Sequence, residues 1–163
     1  MGSVLMTRPS RDRTLTDIAG IIAKRSTCSR LQVGAVFSLE GRILVTGYNG
    51  APAGLPHCNH DCDCTTYTPK APGEDHTTWC QSMQPCTIAE HAERNAIAFA
   101  ARHGVKLEGA EVHVTHMPCL PCSMSLVNAG VERVIYVEAY RLTEGIELLR
   151  QAHVVVDKYW WGV

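Results

Sequence analysis

His91 and Glu93 stand two positions apart, and further along the chain come Cys119 and Cys122, with Pro118 and Pro121 each directly before a cysteine. No short run of chain brings a histidine and a distant Cys-x-x-Cys pair to one point, so the fold must deliver two separate segments to a common centre. One imidazole and two thiolates are three zinc ligands. Three protein ligands leave the fourth tetrahedral position open, as in catalytic rather than structural zinc sites. Zinc in such a site acidifies a water, and Glu93 is placed to carry its proton without being a ligand. A closed structural zinc would need a fourth ligand close by, for which His113 and His116 are the candidates, and it would leave Glu93 without a task.

The surrounding pattern supplies the two segments. Thr87-Ile88-Ala89-Glu90 has the form of a capping box and predicts a helix to about Arg102, ahead of Gly104. His91 and Glu93 then lie in its first turn, at the positive end of the helix dipole. A second helix is predicted over Cys119–Ala129 and ends at Gly130. Helix N-termini lower thiol pKa, which favours the thiolates zinc requires. Leu31–Ser38 and Arg42–Tyr48 are β-rich runs around Leu39-Glu40-Gly41 and read as a hairpin. Further strands are expected at Glu111–Thr115, Arg133–Val137 and near His153–Val156, with a helix over Thr143–Gln151.

Leu15, Ile18, Ile21 and Ile22 are spaced for a helix from Thr14 to about Arg25, with Thr14 and Asp17 as its capping pair. Strands alternating with helices predict an α/β fold, a sheet layered with helices on both faces. Residues 1–13 are polar and read as a flexible N-terminus, with Arg8, Arg11 and Arg13 as a solvated basic cluster. Residues 14–163 read as a single domain, and within it residues 50–86 form an irregular insertion rich in Cys, His, Pro and Gly.

A formal net charge of −1 counts against a polynucleotide partner, which usually selects a basic surface. No apolar run is long enough to span a membrane. Met1 to Arg13 has no signal-peptide apolar core, so the expected location is the cytoplasm. In that reducing compartment eight cysteines point to metal binding rather than disulfides.

The His-x-Glu and Pro-Cys-x-x-Cys elements form the signature of the zinc nucleobase deaminases. Ser26-Thr27-Cys28-Ser29-Arg30, Val33-Gly34-Ala35-Val36 and Gly47-Tyr48-Asn49-Gly50-Ala51-Pro52 narrow the resemblance to the deoxycytidylate (dCMP) deaminase family. Glu90-His91-Ala92-Glu93 with Asn95-Ala96-Ile97, and Tyr136-Val137-Glu138-Ala139-Tyr140, are similar as well. The likeness runs from about Leu15 to Tyr140.

It implies a three-layer α/β/α fold with a mixed sheet of about five strands, and zinc-dependent hydrolysis of dCMP to dUMP and ammonia. The zinc ligands would be His91, Cys119 and Cys122, and Glu93 the catalytic proton carrier. Asn49 would orient the sugar or ring, the Ala92 N–H would meet the pyrimidine, and Tyr140 would face the substrate. Tyr48, Gly50 and Arg102 fall where family members respond to effectors. Many members are hexamers, activated by dCTP and inhibited by dTTP. Arg94 departs from the pattern, since the family commonly has Leu or Met after the glutamate. It reads either as an exposed helix residue or as a contact to phosphate or a neighbouring subunit.

Six cysteines lie outside the catalytic motif, and relatives of the family often hold a second, structural zinc. Cys28, Cys58 and Cys86 match its ligands best, with the fourth among Cys62, Cys64 and Cys80. A metal would hold an insertion too poor in apolar residues to hold itself by burial. The alternative is that some of these are ordinary buried thiols. The alternative functions are deamination of a 5-substituted dCMP or another cytosine nucleoside or base, or a non-catalytic zinc module that binds nucleotides.

Overall fold

Ser10, rather than Thr14, opens the first helix. Its hydroxyl accepts a hydrogen bond from the Arg13 N–H at 3.1 Å, the N-cap arrangement that satisfies one of the free donors at a helix start. Helix α1 therefore covers Arg11–Ala23, and Arg11 to Arg13 belong to the domain instead of a flexible tail. The computed structural model describes residues 8–28, 31–55, 57, 89–139 and 143–160. The cysteine-rich part of the insertion, including Cys58, Cys62, Cys64, Cys80 and Cys86, lies outside the described residues, as does Tyr140.

Strands β1 (Gly34–Leu39) and β2 (Arg42–Tyr48) form the expected hairpin. Its turn residues Glu40 and Gly41 both have positive φ, 52° and 78°, as a two-residue turn between right-twisted strands requires. There follow α2 (Ala92–His103), β3 (Glu111–His116), α3 (Leu120–Asn128), β4 (Arg133–Glu138), α4 (Glu144–Gln151) and β5 (Val155–Lys158). The sheet order is β2-β1-β3-β4-β5. β1 is antiparallel to both β2 and β3, while β3, β4 and β5 are parallel. Parallel neighbours need a crossover, which α3 and α4 provide.

The core follows from strand alternation. Five consecutive residues of β1 are buried, so this strand is covered on both faces, whereas β2 begins exposed as an edge strand. Val36 faces α1, where it packs with Leu15 and Ala19. Ala35 and Phe37 face the other way, into a core shared with Ala92, Ala96 and Ala100 of α2, Leu126 of α3, and Ile146 and Leu149 of α4. One helix therefore covers one face and three cover the other, the layered arrangement expected from the sequence.

A charge cluster fastens α1 to the sheet. Arg133 of β4 donates to both carboxylate oxygens of Asp12 at 3.2 and 3.0 Å and to Asp157 of β5 at 2.8 Å. Glu111 stands 3.8 Å from the same guanidinium. His113, fully buried in β3, lies 3.3 Å from Asp12 through Nε2. Burial opposes ionisation of Asp12, but its bonds to Arg133 and His113 prevail and hold its pKa below the ordinary value. Burial drives His113 the other way for a base, lowering its pKa in spite of Asp12.

Both shifts have one consequence for stability. The unfolded chain takes up a proton at His113 near its ordinary pKa of 6.5 while the folded chain does not. Stability is then fully present above that value and falls as the pH drops below it, and the Asp12 contribution is lost at still lower pH. Thermal unfolding of the zinc-loaded protein from pH 7.5 to 5 is expected to show this decline, and His113→Gln to show a shallower one over the same window. An unchanged slope in the variant would remove His113 from the account.

Candidate active site

β2 and β3 run in the same direction, both being antiparallel to β1, so their C-terminal ends meet at one edge of the sheet. There the Gly34 N–H donates to the Thr115 hydroxyl at 3.2 Å. The chain leaving β2 is tied to the segment entering α2 by a reciprocal pair: the Gly50 N–H donates to the Glu90 carbonyl at 3.1 Å, and the Glu90 N–H to the Gly50 carbonyl at 2.9 Å. This fixes the residue before His91. The structure corrects the expected capping box here, because His91 is itself the N-cap of α2 and the helix starts at Ala92. Thr87 and Ile88 lie outside the described residues.

Glu90 takes another role. Its Oε1 accepts from the His91 N–H at 3.0 Å and from Arg94 Nε at 2.6 Å. Arg94 is thus the ion-paired partner of Glu90, half exposed on the helix. Its i,i+4 spacing from Glu90 was visible in the sequence as a signal for this pair.

The second segment follows β3. Cys119 is the N-cap of α3, and Pro121 sits in the first turn, where a missing N–H breaks no helical bond. Cys122 is fully buried. Gly145 of α4 presses on the ligand loop, since a Cβ there would lie 2.5 Å from the Pro118 carbonyl and 2.8 Å from Ser123 Oγ.

These two helix starts converge. His91 Nδ1 lies 3.3 Å from Cys119 Sγ and 3.4 Å from Cys122 Sγ. Tetrahedral zinc with ordinary Zn–N and Zn–S bonds spaces its nitrogen and sulfur ligands by roughly 3.5 Å, so the donor set and its spacing both fit zinc. The Cys122 thiol also reaches Glu93 Oε2 at 3.5 Å. Neither His113 nor His116 joins the group. His113 faces α1, and His116 Nδ1 is 3.0 Å from the Thr115 hydroxyl. Among the described residues the candidate ligand set stays at three, which would leave a bound zinc one open position.

The electrostatics suit metal capture. A hydrogen bond from Cys122, with His91 beside it, pulls the Cys119 thiol down to about 4 against the effect of burial. Cys122 is pushed up because its proton serves Cys119, it is buried, and Glu93 stands against it. The bond to Cys119 raises His91. Glu93 is only 4% exposed, and burial raises its carboxyl above the usual range. A buried carboxylate with a raised pKa is suited to accept and return a proton near neutrality.

Comparisons with known proteins give the family. The model of the cytidine and deoxycytidylate deaminase zinc-binding region matches residues 9–138. The chain belongs to that family. ComE operon protein 2 of Bacillus subtilis is 39% identical over 139 residues, 85% of this chain and 65% of its own length. Deoxycytidylate deaminase of Mycobacterium phage D29 is 39% identical over 132 residues, 80% of this chain and 97% of its own. The structure of dCMP deaminase from the cyanophage S-TIM5 in complex with dCMP and dUMP superposes with a TM-score of 0.76. It is 30% identical and covers 94% of this chain and 99% of that one. The fold is therefore that of the cytidine deaminases, and this deaminase is a zinc-binding hydrolase.

The remaining expected site residues are placed as follows. Ala92 is buried at the first helical position, where its N–H has no carbonyl partner within the helix. Asn49 spends its side chain on the chain entering β1, accepting from the Val33 N–H and donating to the Leu31 carbonyl, both at 2.8 Å. It holds the rim of the site, and one amide N–H remains for a ligand. Tyr48 is half buried, with the Arg25 guanidinium 5.9 Å from its ring centre. Gly50 forms the bridge to Glu90, and Arg102 is exposed in the last turn of α2. Cys28 is half buried just beyond α1, and its N–H donates to the Ser26 hydroxyl at 3.1 Å.

Proposed function

We propose that this deaminase converts dCMP to dUMP and ammonia, supplying dUMP for thymidylate synthesis. The convergence of His91, Cys119 and Cys122 with the buried Glu93 beside them carries this reading. A bound zinc would be held by those three side chains and would acidify a water at the open position. Glu93 accepts one water proton as oxygen adds to the carbon bearing the amino group and passes it to the adjacent ring nitrogen; it then takes the remaining hydroxyl proton and delivers it to the amine as the carbon–nitrogen bond breaks and the carbonyl forms. The Ala92 N–H anchors the ring edge, while Asn49 and Tyr140 position the nucleotide. The phage relatives named for dCMP support the choice of substrate.

The same reading includes activation by dCTP and inhibition by dTTP through Tyr48, Gly50 and Arg102, and a second zinc on Cys28, Cys58 and Cys86 with one of Cys62, Cys64 or Cys80. It also includes a cytoplasmic homo-oligomer, a hexamer. Exposed Phe99 of α2 and Leu120 and Met124 of α3 support the assembly. No described helix is long and apolar enough to cross a membrane.

Ammonia release from dCMP by the zinc-loaded protein, with and without dCTP and dTTP, tests the proposal. Turnover raised by dCTP and suppressed by dTTP is the expected result. Turnover indifferent to both removes the regulation and keeps the chemistry. No turnover of dCMP with zinc bound rejects the substrate and directs the assay to 5-substituted nucleotides.

A further inference from the structure

We propose that the cleft between the first turn of α1 and the β1–β2 turn binds a small polyphosphate anion. Arg8, Arg11 and Arg42 line this cavity of about 320 Å³ together with Pro9, Thr14 and Glu40. No described residue forms a hydrogen bond or ion pair with any of the three guanidiniums. In this they differ from Arg13, Arg94 and Arg133, each of which has a carboxylate partner. Three cations against the one carboxylate of Glu40 leave a surplus of two positive charges around the cavity, on a chain whose net charge is −1.

The arrangement is built by the fold. Arg8 and Arg11 flank the α1 cap, and Arg42 arrives from a turn some thirty positions away. Arg11 lies across Gly41, where a Cβ would come 3.0 Å from its Cδ and 3.1 Å from its Nε. Gly41, at φ +78°, thus gives both the turn and the floor on which Arg11 rests. Guanidinium forks recognise phosphate oxygens in pairs, and several forks around one cavity suit linked phosphates better than a single one. The volume is at the small end of the range for ligand pockets.

This cleft is separate from the catalytic centre. It lies at the Arg42 end of β2, whose seven residues place it roughly 20 Å along the strand from Tyr48 and the zinc ligands. Binding there does not depend on the identity of the deaminated substrate.

Calorimetric titration of the zinc-loaded full chain with inorganic tripolyphosphate tests the site. One saturable event per chain is expected, weakened in R11Q/R42Q by about tenfold for each guanidinium lost, with ammonia release from substrate unchanged. Glu40→Gln should tighten binding. ATP as a second titrant separates the sources: equal affinity assigns the site to the phosphates alone, and tighter binding assigns it to a nucleotide. The absence of saturable binding would overturn the proposal. So would an affinity untouched by R11Q/R42Q, or an equal response to sulfate at matched ionic strength.

Discussion

Glu93→Gln is expected to abolish turnover while zinc content and fold remain intact. The amide keeps the size and shape of the side chain, which fits a position that is 4% exposed. It cannot accept the water proton or return it to the ring nitrogen and the leaving amine. A single positioned acid–base group contributes roughly 10²–10⁴ in rate, and Glu93 serves several transfers, so a loss of at least about a thousandfold follows. Zinc should stay, because His91, Cys119 and Cys122 would hold it without the carboxylate. The decisive measurements are ammonia release and zinc stoichiometry on the same preparation. Retained turnover would reject the assignment of Glu93, and lost zinc would make it a structural residue.

Gly47→Ala carries a large expected effect on stability, at the helix that bears the candidate site. A Cβ at Gly47 would lie 2.2 Å from the Ala92 carbonyl oxygen, 2.8 Å from the Ala96 nitrogen and 2.9 Å from Ala96 Cβ. Two of the three obstacles are backbone, so no side-chain rotation relieves the clash, and α2 must move off β2. Overpacking typically costs about 1–3 kcal/mol, and a backbone obstacle puts this variant at or above the upper end. For a chain of this size that corresponds to a fall in Tm of roughly 6–12 °C. The point of contact is the first turn of α2, so zinc retention should weaken together with Tm. Gly20→Ala is the control: nothing lies within 4 Å of its Cβ, and a helical Gly→Ala exchange should stabilise by up to about 1 kcal/mol. Equal melting of Gly47→Ala and the wild type would reject the close approach.

Much of the architecture was legible in local pattern. β2 runs from Arg42 to Tyr48 as its β-rich composition predicted, and Glu40-Gly41 forms the expected turn. Helix starts were read less well. Thr14–Asp17 and Thr87–Glu90 both have the form of capping boxes, yet Ser10 and His91 cap the helices. A capping motif states only that a helix can begin there. The competing serine lay just upstream of the apolar spacing that marked α1. Glu90 was drawn away by its bonds to the His91 N–H and Arg94.

The proposed catalytic chemistry was legible in the sequence itself. The identity of the proposed ligands and the glutamate two residues after the histidine are properties of residue type and spacing. Tertiary structure alone decided what surrounds them. It put His113 on the opposite face of the sheet and excluded it as a ligand, engaged Asn49 with the strand before it, and drew Arg42 to Arg8 and Arg11. The physical reason is range. Coordination chemistry and helix signals depend on neighbours a few residues apart, whereas burial, strand facing and the meeting of charges from distant segments exist only after the sheet has paired and its helices have packed.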